Sequence, residues 1–169
     1  MKHLMIYLVL WGWTTSAYSQ ATPVAQLAFF EHLTKDKWEM NGDWGNGKKF
    51  RQIQVYSWGL NKRIVKVQTF GTVDPKTGAF GLRNEGIRAW DATKKQVVFW
   101  EFDVFGGITQ GTCTVEGNFL YYDYTYQGQS LRDSWQKISP NAYAYKVGTY
   151  KEGRWLKVFL SATYKRITK

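Results

Sequence analysis

The chain has 169 residues and a formal net charge of +10, with 44% hydrophobic and 18% aromatic side chains. Its single cysteine excludes an internal disulfide, so a packed core has to hold the fold unaided. The positive charge predicts solubility and attraction to anionic surfaces, and it says nothing about the fold.

Residues 1–19 have the pattern of a signal peptide. A basic Lys2 precedes an apolar run that is too short to span a bilayer, and Ala17 and Ser19 fit a cleavage site. We predict cleavage after Ser19 and export to the periplasm or the medium. An uncleaved membrane anchor is the alternative, which the short apolar run disfavours. The mature chain, 20–169, has the length of a single domain.

One short helix is predicted at the start of the mature chain. Thr22 is typical of an N-cap, and Pro23 suits the first helical position. Apolar residues then recur at helical spacing, and this period ends near Asp36. They are Val24, Leu27, Phe30 and Leu33.

The rest of the chain predicts an all-β domain. Nine turn sequences separate segments rich in Val, Ile, Thr, Tyr, Phe and Trp, which indicates about ten antiparallel strands. We expect a closed up-and-down barrel, because closure removes the exposed strand edges, with a two-sheet sandwich as the alternative. The turn sequences lie at 45–47, 59–61, 74–78, 91–95, 106–107, 116–118, Gly128, 139–141 and 151–153.

Both faces of several strands carry mixed side chains, which favours a barrel with a small wet interior over a dry sandwich. Tyr122 and Tyr124 oppose Tyr121 and Asp123, so tyrosine occurs on both faces of one strand. Tyrosine suits a lumen, since its ring packs against neighbouring side chains and its hydroxyl can form a hydrogen bond. For the last strand we predict one face made of Leu156, Val158, Leu160, Ala162 and Tyr164.

An outer-membrane barrel is disfavoured by the segment SLRDSWQK. It places Arg132 on one face and Asp133 and Lys137 on the other, so neither face offers an uncharged band to lipid. We therefore expect no membrane insertion. A monomer is expected.

The order of several motifs resembles the exported bacterial lipocalin-like (calycin) proteins of the uncharacterised DUF1579 type. The resemblance covers about 27–166 and rests on strand rhythm, on the turn after Asp91 and on the corner ISPNAY. It implies a calycin-type barrel with a helix near one mouth, and it brings no established chemistry. The motifs are WEMNGDW, GIRAWDATKKQVVFWEFD, GTCTVEGN, LRDSWQKISPNAYAYKV and LSATYKR.

The segment GDWGNG also looks like part of the signature of nitrobindin-like haem barrels. Such a barrel needs an axial histidine on a strand, whereas the mature chain has only His32, on the predicted helix. We therefore expect no haem or other cofactor. One histidine also excludes a two-histidine metal site, and no metal is expected.

Acid–base chemistry would have to come from carboxylates. Glu101 and Asp103 share one strand face, and Asp123 could join them across the sheet. A solvated charged face is the simpler interpretation of these three residues. Cys113 lies in an alternating segment and is predicted to be a buried, inert thiol.

A set of aromatic residues with two arginines forms the candidate ligand site. The rings supply planar apolar area, and the arginines could meet an anionic group bidentately. Many of these rings could equally be barrel packing. The set is Trp58, Trp100, Tyr122, Tyr124, Trp135, Tyr143, Tyr145, Arg88 and Arg132.

The leading hypothesis is an exported barrel that binds a small amphipathic or aromatic molecule in its lumen, with an anionic ligand left open. The first alternative is a basic surface that binds an anionic polymer such as lipopolysaccharide or nucleic acid, although nucleic acid is the less favoured partner. The second alternative is an isomerase or hydrolase that uses Glu101, Asp103 or Asp123.

Overall fold

The structure, a computed structural model, describes residues 22–43 and 47–167. Within these ranges lie a 3-10 turn, one short α-helix and ten β-strands. The 3-10 turn spans Ala25–Leu27 and the helix α1 spans Phe29–Leu33. The strands are β1 Lys37–Asp43, β2 Lys49–Gly59, β3 Ile64–Asp74, β4 Ala79–Asp91, β5 Gln96–Asp103, β6 Ile108–Glu116, β7 Phe119–Tyr126, β8 Gln129–Ser139, β9 Ala142–Lys151 and β10 Arg154–Ile167.

The ten strands form one closed barrel. Each strand pairs antiparallel with its neighbours in the chain, and β1 pairs with β10 to close the sheet. In the closing ladder Lys37 lies opposite Ile167, and Glu39 lies opposite Lys165. The predicted up-and-down barrel of about ten strands is confirmed.

The predicted turns connect consecutive strands, although most of the first one, 45–47, lies outside the described residues. Gly117 and Gly128 have φ of +60° and +75°, the left-handed backbone that tight hairpin turns require. At another turn, the Asp91 carboxylate accepts N–H bonds from Thr93 and Lys94, both at 3.0 Å. Local turn chemistry thus fixes where strands end, which is why the sequence reveals their number.

The N-terminal helix begins later than predicted and is interrupted. Val24, rather than Thr22, caps the 3-10 turn, so Pro23 precedes the helical residues. Val24 is extended, and its N–H donates to Lys62 O at 3.4 Å in the turn between β2 and β3. This bond holds Val24 in an extended conformation and so delays the start of the helix.

Together the 3-10 turn and α1 cover one end of the barrel, which we call the plugged end. Leu27, Phe30 and Leu33 are fully buried there, as their spacing predicted. The Trp38 indole N–H donates to Leu33 O at 3.0 Å and fixes the helix to β1. The opposite end, where β5 turns into β6 and β7 into β8, is called the mouth.

Two further sequence predictions, the signal peptide and the inert cysteine, have different outcomes. The predicted signal peptide lies outside the described residues. Cys113 is buried as a free thiol, and burial raises its pKa, which agrees with the predicted inert side chain. Within the described ranges, no helix has the length and apolar character that crossing a membrane would require.

Candidate functional site

The lumen is a cavity of about 520 Å³ at the mouth end of the barrel. Side chains from β2 and from β4 through β10 form its wall. This volume lies within the range of small-molecule sites in proteins, which are commonly several hundred Å³. The barrel therefore encloses space for a guest, and its chemistry depends on the inward side chains.

Inward side chains become more polar along a strand as it approaches the mouth. On β5, Val97 and Phe99 are buried near the plugged end, whereas Glu101 and Asp103 line the lumen near the mouth. On β2, Gln52 and Gln54 likewise line the lumen. The mixed strand faces seen in the sequence thus arise from a change of character along each strand.

Arg88 is the most deeply buried charge in the lumen, at 3% exposure. Its Nη2 donates to one carboxylate oxygen of Glu101, and Asn84 Nδ2 donates to the other at 3.2 Å. Arg88 Nε donates to Tyr122 OH at 3.4 Å. Its Nη1 has no acceptor and is enclosed by protein atoms. The positive charge of Arg88 is therefore balanced within the protein by Glu101.

Two glycines make room for these inward side chains. A Cβ on Gly86 would lie 2.5 Å from Arg88 Nη1. A Cβ on Gly111 would lie 2.1 Å from the backbone oxygen of Asp123 and 2.8 Å from the Phe99 ring. Glycine is thus required where the guanidinium and the Phe99 ring pass close to the backbone.

Asp133 presents a second, partly buried carboxylate to the lumen. Tyr124 OH donates to Oδ1 and Tyr145 OH donates to Oδ2, both at 2.9 Å. Loss of solvent raises the pKa of Asp133 to about 7, although the two tyrosine hydrogen bonds oppose the rise. Burial also raises the pKa values of both tyrosines, so they remain neutral donors. Asp133 is therefore a carboxyl group that changes its charge near neutral pH.

Aromatic rings form the apolar part of the wall. Phe99 meets Tyr122 edge to face with ring centroids 5.2 Å apart, and Trp135 meets Tyr145 in the same way at 5.5 Å. Trp135 also stacks on Tyr164 at 4.2 Å. These contacts hold the rings in place, so the lumen offers a preformed apolar surface beside its carboxylates.

Most of the sequence-predicted site residues lie around this lumen. They are Arg88, Glu101, Asp103, Tyr122, Tyr124, Trp135 and Tyr145.

Three of the candidates, Asp123, Arg132 and Trp100, lie on the outer face instead. Arg132 is paired with Asp123 at 2.6 and 2.7 Å, and its guanidinium lies 3.9 Å from the Tyr150 ring centroid. Trp100 is 38% exposed and donates to Gln110 Oε1 at 3.2 Å. The alternation of the strands explains these positions, because each candidate is one residue away from an inward neighbour.

Two other candidates face inward but pack into the plugged end, away from the lumen. Tyr143 is fully buried, with its ring 4.9 Å from Trp38 and its hydroxyl 2.9 Å from His32 Nδ1. Trp58 packs against the same core. Their role in the structure is therefore packing beneath the helix.

The prediction that five residues of β10 share one face requires a correction. Ala162 and Tyr164 pack into the core as expected, but Leu156 and Val158 are exposed. Register shifts between 155 and 157 and between 158 and 160 break the alternation, so Phe159 faces the lumen. Alternation alone cannot show such a bulge.

Asp133 was not among the predicted site residues, although the sequence contains a signal for it. A tight turn at Gly128 pairs β7 with β8, and the register places Tyr122 opposite Asp133 and Tyr124 opposite Leu131. Opposite residues share a face. Tyr56, Arg83 and Asn84 are also lumen residues, and no sequence pattern singles them out.

No known family model matches this chain. A search of curated proteins finds no match either. The resemblance to the DUF1579 type therefore stays a prediction, and function has to be inferred from the lumen. Within the described ranges, no three His, Cys, Asp or Glu side chains are grouped so that they could hold a metal ion.

Proposed function

We propose that this barrel binds a small amphipathic or aromatic molecule in its lumen. The cavity of about 520 Å³ carries the proposal, because it is open at the mouth and has both ring surfaces and hydrogen-bonding groups on its wall. The rings would contact the apolar part of the guest, and the polar groups would fix its orientation.

A matched pair of substitutions on β6 tests this proposal. Thr109 lines the lumen, whereas Thr112, three positions further on the same strand, faces outward. Thr109→Trp should fill the cavity and remove a bound small molecule seen by native mass spectrometry of gently purified protein. Thr112→Trp should leave it bound. Equal retention in both variants would place the bound molecule outside the lumen and contradict the proposal.

Salt dependence separates lumen binding from the basic-surface alternative. A guest held inside the barrel should keep its affinity within about twofold as salt rises, whereas a bound polyanion should lose affinity steeply through counterion release. Steep loss together with an unaffected Thr109→Trp variant would favour the surface alternative.

A second candidate function is carboxylate-dependent acid–base catalysis, and Asp133 is the residue that favours it. A carboxyl group in a cleft with a pKa of about 7 can take up and release a proton at neutral pH. The three carboxylates predicted from the sequence are engaged otherwise: Glu101 with Arg88, Asp123 with Arg132, and Asp103 with two backbone N–H groups of its turn.

The catalytic candidate predicts turnover of a compound that the lumen binds. Asp133→Asn should abolish that turnover even at compound concentrations high enough to saturate the variant. Binding with no chemical change of any bound compound would leave the barrel as a carrier.

A further inference from the structure

The charged groups of the lumen wall do not balance once Asp133 is ionised. They are Arg83, Arg88, Glu101, Asp103 and Asp133. The two arginines offset two of the three carboxylates, which leaves one negative charge over. Arg88 pairs with Glu101 rather than with Asp133, although its positive charge lowers the pKa of Asp133. In the described part of the chain, no Lys, Arg or His nitrogen forms a salt bridge with Asp133.

The hydrogen bonds around Asp133 leave acceptors, not donors, facing the lumen. Tyr124 and Tyr145 each give their hydroxyl proton to one oxygen of Asp133. The lone pairs of both hydroxyl oxygens, and further lone pairs on the carboxylate, remain free to accept. A group with several N–H donors and a positive charge matches this arrangement.

An anionic guest fits this end of the lumen poorly. It would meet the Asp133 carboxylate and the phenolic lone pairs, with Glu101 close enough to raise the pKa of Asp133 further. Arg88 Nη1, which has no acceptor, is enclosed and cannot reach a guest. The anionic ligand that Arg88 suggested in the sequence is therefore disfavoured by the pairing of Arg88 with Glu101.

We propose that the guest carries an ammonium group, which Asp133, Tyr124 and Tyr145 receive beside the Trp135 ring. This inference rests on the proposed lumen binding and adds the chemical class of the guest. One N–H would donate to the carboxylate and two to the hydroxyl oxygens, while the apolar part of an arylalkylamine lies along Phe159 and Leu160, which line the lumen and keep exposed surface. The rings add attraction for a cation.

Three probes with the same ring system and different charge test the class of the guest. Naphthylmethylamine, naphthylmethanol and naphthoate would be titrated calorimetrically into the full protein at about pH 8, at which Asp133 is mostly ionised. We expect the amine to bind at least about tenfold more tightly than the carboxylate, with the alcohol between them.

Two aspartate variants locate the effect. Asp133→Asn should weaken amine binding by about tenfold or more and change alcohol binding by less than about threefold. Asp123→Asn removes the same charge from the outer face of the neighbouring strand and should leave all three probes unchanged. An equal loss of amine affinity in both variants, or no loss of amine affinity in Asp133→Asn, would overturn the proposal.

The wild-type protein provides a test that needs no variant. The affinity for the amine should rise about tenfold between about pH 6 and about pH 8, because Asp133 loses its proton in that range, while the alcohol should show no such rise. His32 is the other group whose ordinary pKa lies in this range, but burial lowers its pKa and it lies on α1 at the plugged end, beside Tyr143. An amine affinity that is flat with pH would contradict the role of Asp133.

The outcomes also separate this inference from the function on which it rests. If all three probes bind in the lumen with equal affinity, the barrel is a binder without preference for cations. If none binds, and Thr109→Trp changes nothing in native mass spectra, lumen binding itself is wrong.

Discussion

The plugged half and the mouth half of the barrel are built from the same strands but bury different side chains. In the plugged half, Trp38, Tyr143 and Leu120 are fully buried beneath the helix. In the mouth half, Glu101 and Asp133 face an open cavity. One half supplies the packing that holds the barrel, and the other half is therefore free to carry polar groups that would weaken a core.

The outer surface does not show this division, because large apolar side chains are exposed at both ends, such as Leu60 and Ile138 at the plugged end. Several large apolar side chains are exposed around the mouth, among them Phe80, Phe102, Val104, Phe105 and Ile108. Arg83 lies over the Phe105 ring at 5.6 Å and covers part of this surface. The mouth thus combines charge and apolar area both inside and outside.

The largest effect is expected from removing a ring in the plugged half. Trp38→Ala should lower the free energy of unfolding by about 3–5 kcal/mol, because it leaves a cavity and removes the bond to Leu33. Urea denaturation would measure the loss. Trp100→Ala, on the outer face, should cost less than about 1 kcal/mol, so equal losses would show that burial beneath the helix contributes no extra stability.

A smaller loss is expected where glycine admits a ring in the lumen wall. Gly111→Ala should destabilise the protein by about 1–3 kcal/mol, because its Cβ would meet the Asp123 backbone and Phe99 at 2.1 and 2.8 Å. Gly81→Ala is the matched control, since its nearest neighbour lies 3.4 Å away. Equal melting temperatures of the two variants in thermal unfolding would contradict the tight packing at Gly111.

The Asp133 carboxyl group should make the free energy of unfolding depend on pH. The folded-state pKa of Asp133 is raised to about 7, so the folded protein holds this proton more tightly than the unfolded chain does. Its contribution to stability is therefore present below the unfolded pKa and is lost as the pH rises toward about 7. We expect the unliganded protein to lose up to about 4 kcal/mol from this source between about pH 4 and about pH 8.

A comparison of variants isolates this contribution. The pKa of His32 is lowered by burial, so His32 acts in the opposite direction and stabilises the folded state as the pH rises. Subtracting the pH profile of Asp133→Asn from that of the wild type removes the part due to His32. A difference that stays constant with pH would show that Asp133 is solvated in the folded protein.

The smallest effect is expected on the outer face. Asp123→Asn breaks the paired hydrogen bonds with Arg132, yet both side chains are partly exposed, so the loss should stay below about 1 kcal/mol. Chemical denaturation would measure it. A loss as large as that of Trp38→Ala would mean that the outer ion pair supports the barrel as much as the plugged half does.

The architecture could be predicted because its signals are local. Gly128 and Asp91 mark turns through backbone and side-chain chemistry that involves only nearby residues. The start of the helix could not be predicted, because the bond from Val24 to Lys62 joins segments distant in sequence. Local sequence patterns thus predicted the number of strands, but they could not predict contacts between segments that are distant in the sequence.

The site could be predicted only in part, for a different physical reason. Tyr121 on the outer face packs against Phe119 and Arg132, whereas Tyr122 on the inner face packs against Phe99. Aromatic and charged residues thus pair on both faces of the wall, so residue type does not distinguish inside from outside. To predict that Asp133 faces the lumen, one needs to know how β7 and β8 pair, and the sequence of one strand alone does not contain this information.

The position of the helical plug also decides how the protein can be handled. Residue 22 enters at the plugged end, and β10 runs from Arg154 near the mouth back to Ile167 beside Lys37. Tags, surfaces or fused domains joined ahead of residue 22 or after residue 167 would therefore approach from the far side of the guest's entrance. An immobilised barrel would keep its opening toward the solution, which suits a biosensor or affinity column for screening amines.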